Sequence, residues 1–143
     1  MPNLFEQYEL DPAKRQNGVP VEFAGSTFFC RFAGSGNRSY RFASAAEVSA
    51  SPELAQKLDT GTEQEKMEAE DVLTMRAFFG NVVVGWEEVL DRSGSPLEFN
   101  RENYLDLMGS CPMVWEYVRM EARSLDNFRA QAKEEIVQET GKS

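Results

Sequence analysis

On either side of Ala24-Gly25-Ser26 the apolar residues alternate. Val21 and Phe23 lead into it, and Phe28, Cys30 and Phe32 lead out, which is the period-2 pattern of half-buried strands. Gly25 is free to take the positive φ of a tight reversal. Val19 to Phe32 therefore reads as a β-hairpin. A two-stranded hairpin is marginal in water by itself, so the rest of the chain has to cover its apolar face.

The chain beyond the hairpin is spaced for helices. Ala33-Gly34-Ser35-Gly36 breaks the strand, and Asn37 caps a short helix from Arg38 to about Val48. Phe42, Ala45 and Ala46 share one face of it, although Tyr40 and Phe42 also alternate as a short strand would. Thr62-x-x-Glu65 is a capping box opening a long helix, with Val72, Met75, Phe79 and Val83 as its buried face. Gly80 can kink or end it, and Val82-Val83-Val84 also fits a short strand. The expectation is a helix through to about Leu90, its apolar face extended by Trp86, Val89 and Leu90. Asn100 caps a further helix, Arg101 to Met108, with Tyr104, Leu107 and Met108 inward and Gly109 at its end. Pro112 sits in the favoured first-turn position of the last helix or helix pair. There Val114, Val118, Leu125, Phe128, Ala132 and Ile136 form one stripe. Asp11–Gly18, Ala33–Asn37, Ser51–Thr62 and Asp91–Pro96 read as connections. The chain is thus expected to be an α+β fold, a mostly α-helical single domain with an N-terminal β-hairpin. Residues 1–50 hold the hairpin and short helix, 51–137 the helical part, and 138–143 a frayed tail.

The composition removes several functions. Among 143 residues there is no His, which excludes Ser-His-Asp and Cys-His nucleophile sets, imidazole proton shuttles and His metal sites. The formal net charge of −9 repels a phosphate backbone, so nucleic acid is not an expected partner. Cys30 and Cys111 are too few for a zinc site or a disulfide framework, and both read as buried reduced thiols. No apolar run is long enough to span a bilayer, and the first residues do not have the form of a signal peptide. The expected location is the cytoplasm. The charge is uneven. Residues 1–50 carry five acids and five bases, whereas residues 51–100 carry eleven acids and four bases. Glu63 to Asp71, the densest part, reads as an exposed acidic helix face that keeps the protein soluble or, more sharply, as a surface that meets a basic partner.

No catalytic constellation emerges. Glu87 and Glu88 are adjacent and point to different faces of the expected helix. Glu68-Ala69-Glu70-Asp71 lacks the Gly turn of a calcium loop. The loop Gly34 to Arg41, with Arg31, Arg38 and Arg41 around it, invites a phosphate-binding reading, but its glycines do not form a P-loop and no Lys-Ser/Thr pair follows. The chain is therefore expected not to be an enzyme and to need no cofactor and no metal.

One stretch carries more. Val84-Gly85-Trp86-Glu87-Glu88-Val89-Leu90-Asp91-Arg92-Ser93-Gly94-Ser95-Pro96-Leu97-Glu98-Phe99-Asn100-Arg101-Glu102-Asn103 combines a hydrophobic-x-Trp-Glu-x-Val segment, a D-x-x-G-x-P turn and a capped helix start. It resembles the tail assembly chaperones of long, non-contractile-tailed bacteriophages and their prophages. Ser124-Leu125-Asp126-Asn127-Phe128-Arg129 is similar to the same family's C-terminal helix. Gly18-Val19 and Asn37-x-x-Tyr40 match less strictly. Glu88 stands where Gly is common and Asn100 where Ser is common. The second change keeps the capping chemistry, and the first is expected to carry little mechanistic weight.

The resemblance implies a non-catalytic chaperone that binds the tape measure protein and keeps it soluble while tail tube subunits polymerise around it. It also implies a host bacterial cytoplasmic location and absence from the mature virion. A frameshifted longer product, which Gly141-Lys142 is compatible with, would recruit tail tube protein. The expected partner-binding residues are the stripe Val118, Leu125, Phe128, Ala132 and Ile136, presented as a helix-in-groove contact. An intramolecular bundle or a self-association seam would use the same stripe. Two alternatives stand beside this reading. One is a structural tail component such as a tail terminator or head-tail connector. The other is a small phosphate- or nucleotide-binding enzyme using the Gly34–Arg41 loop.

Overall fold

A computed structural model of the chain describes residues 3–130. Its elements run α1 (Leu4–Tyr8), α2 (Pro12–Asn17), β1 (Val19–Phe23), β2 (Ser26–Cys30), α3 (Arg38–Ala50), α4 (Pro52–Thr60), α5 (Glu63–Phe78), β3 (Val83–Glu87), α6 (Arg101–Ser110) and α7 (Pro112–Arg123), with a 3₁₀ turn at Leu125–Asn127. The described residues form a helix-rich α+β fold, as the periodicities indicate.

The hairpin forms as expected, with Val21 facing Phe28 and Val19 facing Cys30. Its turn is Ala24-Gly25, with φ of +51° and +88°, the left-handed pair that matches strand twist. The hairpin is covered in two ways. Antiparallel β3 pairs with β2, giving a sheet in the order β1-β2-β3 with β2 in the centre. Helix α7 then packs on β1 and β2. Val21, Phe28 and Cys30 are buried in the shared core with Phe78, Tyr104, Met108, Trp115 and Val118.

Strand β3 corrects the expected helix to Leu90. Helix α5 begins at its capping box, where Thr62 Oγ1 accepts from Glu65 N and Glu65 Oε1 accepts from Thr62 N. It stops at Phe78. Gly80 takes a φ of +75°, and Asn81 Nδ2 donates to the carbonyls of Ala77 and Phe79 at the helix end. The chain then enters the sheet at Val83, and Val82 and Val83 are both fully buried. Backbone pairing with the open edge of β2 outweighs the amphipathic pattern through Trp86 and Leu90. The buried face of α5 is also rotated from the expected one. Ala69, Leu73, Thr74, Ala77 and Phe78 lie deepest, whereas Val72, Met75 and Phe79 are half-buried. Helices α3 and α4 pack against α5.

Other boundaries shift too. Two expected connections contain helices, α2 and α4, each with Pro in its first turn. Helix α6 runs through Gly109 to Ser110. Cys111 is half-buried rather than buried, and both thiols are free. Burial, with the Glu121 charge nearby, pushes the Cys30 thiol up to about 12. The C-terminal stripe is not one helix, because α7 ends at Arg123 and the 3₁₀ turn redirects the chain. Beyond it the chain meets the N-terminal segment: Asp11 N donates to Phe128 O at 2.9 Å and Ala130 N to Glu9 O at 2.8 Å.

Candidate functional site

The segment from Trp86 to Asn103 folds as one tied unit. The indole N–H of Trp86 donates to Leu97 O at 2.7 Å, and its ring meets Phe99 edge-on with centroids 5.0 Å apart. Asp91 organises the turn between them. Its Oδ1 accepts from Ser93 N, Ser93 Oγ and Ser95 N, and these bonds hold its carboxyl below the usual range. Asn100 Oδ1 accepts from Asn103 N and caps α6. Arg92 then crosses to Asp106 with two bonds, at 2.8 and 3.1 Å. Trp86 is thus a packing anchor with its polar atom satisfied inside the fold.

Glu88 has a φ of +57°. A side chain there costs about 1–2 kcal/mol relative to Gly, so the position has a backbone reason to favour Gly. Ser26 Oγ donates to Glu88 O at 2.7 Å and fixes the bend. Glu87 is the last residue of β3 and faces Thr27, so the Glu87-Glu88 pair lies at a strand end instead of on a helix.

The expected partner stripe divides. Val118 and Phe128 are fully buried, and Phe128 packs on Phe32 with ring centroids 5.2 Å apart. Leu125 is half-buried in the 3₁₀ turn. Ala132 and Ile136 lie outside the described residues, as does the expected tail 138–143. Apolar exposure is found elsewhere. Leu4, Phe5 and Tyr8 on α1, Phe42 on α3, and Met113 and Met120 two turns apart on α7 are exposed. Sequence periodicity marks apolar stripes without saying which are covered, so these side chains had no distinguishing signal.

The acidic run Glu63–Asp71 serves three purposes. Glu63 and Glu68 are exposed, as expected of a solvated face. Glu65 belongs to the capping box. Glu70 and Asp71 bind Arg119 of α7 at 2.9 and 2.7 Å, and Asp71 also accepts the indole N–H of the buried Trp115 at 2.8 Å.

The arginines of the first third lie around the N-terminus of α3. Asn37 builds this corner. Its Oδ1 accepts from Tyr40 N, and its Nδ2 donates to the carbonyls of Phe32 and Asn81, both at 2.9 Å. Beside it is a cleft of about 410 Å³, bordered by Arg15, Arg31 and Arg38 and walled by Leu10, Pro12 and Phe32. A second cleft, of about 620 Å³, shares Ser35 to Arg38 with the first and adds Arg41. Neither has an acid in its lining. Among the described residues no group of three or more His, Cys, Asp or Glu side chains is placed to hold a metal ion. No helix among them is long and apolar enough to cross a membrane.

The sequence model of the YdaY prophage protein family matches residues 36–139. The chain belongs to the YdaY prophage protein family. It is therefore a phage-derived protein. The match takes in both the Asn37 corner and the Trp86–Asn103 unit of this YdaY family member, whereas the β-hairpin lies ahead of it. No curated protein and no solved structure matches the chain.

Proposed function

We propose that this YdaY family protein is a tail assembly chaperone that binds the tape measure protein and keeps it soluble during tail tube assembly. The observation that carries the reading is the Trp86–Asn103 segment. It resembles the corresponding stretch of tail assembly chaperones, and the chain containing it belongs to a prophage family. Its Trp, turn Asp and capping Asn each have a structural task in this fold.

The surface suits such a client. A tape measure protein is a long helical chain with apolar faces, and adaptable apolar contacts favour its capture. Phe42 is 73% exposed, and Met113 and Met120 share a face of α7. The net charge of −9 offsets the aggregation risk of exposed apolar groups. The protein acts by reversible binding, in the host cytoplasm, and leaves before the virion is complete. A longer frameshifted product would bring tail tube protein to the same complex.

Co-expression with the tape measure protein of the same prophage tests this. The client's soluble fraction is expected to rise with the chain present and to fall again with Phe42→Ser or the Met113→Ser, Met120→Ser double variant. An unchanged soluble fraction with the wild-type chain would end the chaperone reading.

A further inference from the structure

Among the described residues Arg15, Arg31, Arg38, Arg41, Arg76 and Arg123 make no ion pair, whereas Arg92, Arg101, Arg119 and Arg129 each hold a carboxylate. Four of these six come from α2, from the residue after β2 and from the first turns of α3: Arg15, Arg31 and Arg38 border the first cleft beside Asn37, and Arg38 and Arg41 border the second. This corner is basic and its lining holds no acid, although the chain carries 24 acids against 15 Lys and Arg.

Two of these arginines are held by the backbone. Arg31 Nε donates to Gln16 O at 2.8 Å, so the rest of its guanidinium fork is not used by that bond. Arg15 Nη2 donates to Gly36 O at 3.2 Å. Gly36 has a φ of +91°, and a Cβ there would stand 2.4 Å from the Arg15 guanidinium. The positive φ strains any side chain there, and a Cβ would push the exposed Arg15 guanidinium from its present place. Arg38 and Arg41 stand at the N-terminal end of α3, where the helix dipole is already positive and no acid occupies the first turn. Cations are unfavourable at that end, so the arrangement works against stability unless an anion joins it.

We propose that this corner is a binding site for a phosphoryl group, held by the forks of Arg31 and Arg38 with Arg15 and Arg41 flanking. A phosphoryl dianion offers three oxygens to several guanidinium forks, whereas a single carboxylate satisfies one. The apolar wall at Pro12 and Phe32 leaves room for an organic group on the phosphate. The site is non-catalytic and stands whether or not the chain is a chaperone.

Calorimetric titration of the full chain with inorganic phosphate, pyrophosphate and a nucleoside monophosphate, at constant ionic strength, tests it. All three are expected to bind more tightly than acetate. Arg31→Gln and Arg38→Gln are each expected to weaken binding about tenfold, and Arg123→Gln on α7 is expected to leave it unchanged. Tighter binding of the monophosphate than of inorganic phosphate assigns the site to an esterified ligand, and equal binding assigns it to the free ion. Melting temperatures without phosphate show that each variant is folded. Binding no tighter than that of acetate, or unchanged in a folded Arg31→Gln, Arg38→Gln double variant, overturns the proposal.

Discussion

Two regions of this protein use arginine in opposite ways. Between α5 and α7, Arg119 is committed. It bonds Glu70 and Asp71, and its guanidinium lies 5.7 Å from the centroid of the Trp115 ring. At the N-terminus of α3, Arg38 and Arg41 face a cleft without an acid. The same side chain closes a core in one place and leaves a charged rim open in the other. Pairing, and not charge alone, decides whether an arginine contributes to the fold or remains available to a ligand.

Substitutions should separate the two. The largest effect is expected at Trp115, which is fully buried, meets Phe78 at 4.9 Å between ring centroids and donates to Asp71. Trp115→Ala is expected to cost about 3–5 kcal/mol in urea unfolding. Arg119→Gln comes next, at about 1–3 kcal/mol, because it removes charge-assisted bonds at a half-buried seam. A loss under about half a kcal/mol there, the range of an ordinary surface substitution, would erase the distinction between the regions. Glu88→Gly provides a yardstick outside both. Relief of its left-handed backbone is expected to stabilise by about 1 kcal/mol, seen as a raised melting temperature. The smallest effect is expected from Arg38→Gln, a gain of a few tenths of a kcal/mol as a cation leaves the helix N-terminus. In the wild type, added salt should reproduce part of that gain by screening. If Arg38→Gln destabilises as much as Arg119→Gln, the rim is structural and the contrast fails.

Some of this is legible in the sequence alone. The hairpin is readable because period 2 and Gly25 agree, and the start of α5 because Thr62 and Glu65 form a reciprocal cap. Asn37 and Asn100 are readable as caps because each stands before an apolar-periodic run with a side-chain oxygen that suits an N-cap. Strand β3 is not, because Val83, Trp86 and Leu90 satisfy a helical face almost as well as a sheet. The decision comes from the open edge of β2, a partner more than 50 residues away in the chain. Helix α4 is hidden by Ser51, Pro52, Asp59, Thr60 and Gly61, which resemble a loop although Pro52 and Glu53 suit a first turn. At the candidate sites, residue types are visible but cover is not. Val118 and Phe128 are equally consistent with a groove contact and a core. The weight of Glu88 depends on a dihedral angle that no spacing reveals.

The tie between the chain's early and late segments has a consequence for synthesis. The hairpin leaves the ribosome well before its cover, since Phe28 and Cys30 are buried only when β3 and α7 follow, and Asp11 finds Phe128 later still. At ordinary translation rates of about 5–20 residues per second, the wait is on the order of 5–20 s. Throughout that interval the nascent chain presents an uncovered apolar hairpin to the host cell. A protein proposed to shelter another chain is therefore, early in its own synthesis, a client.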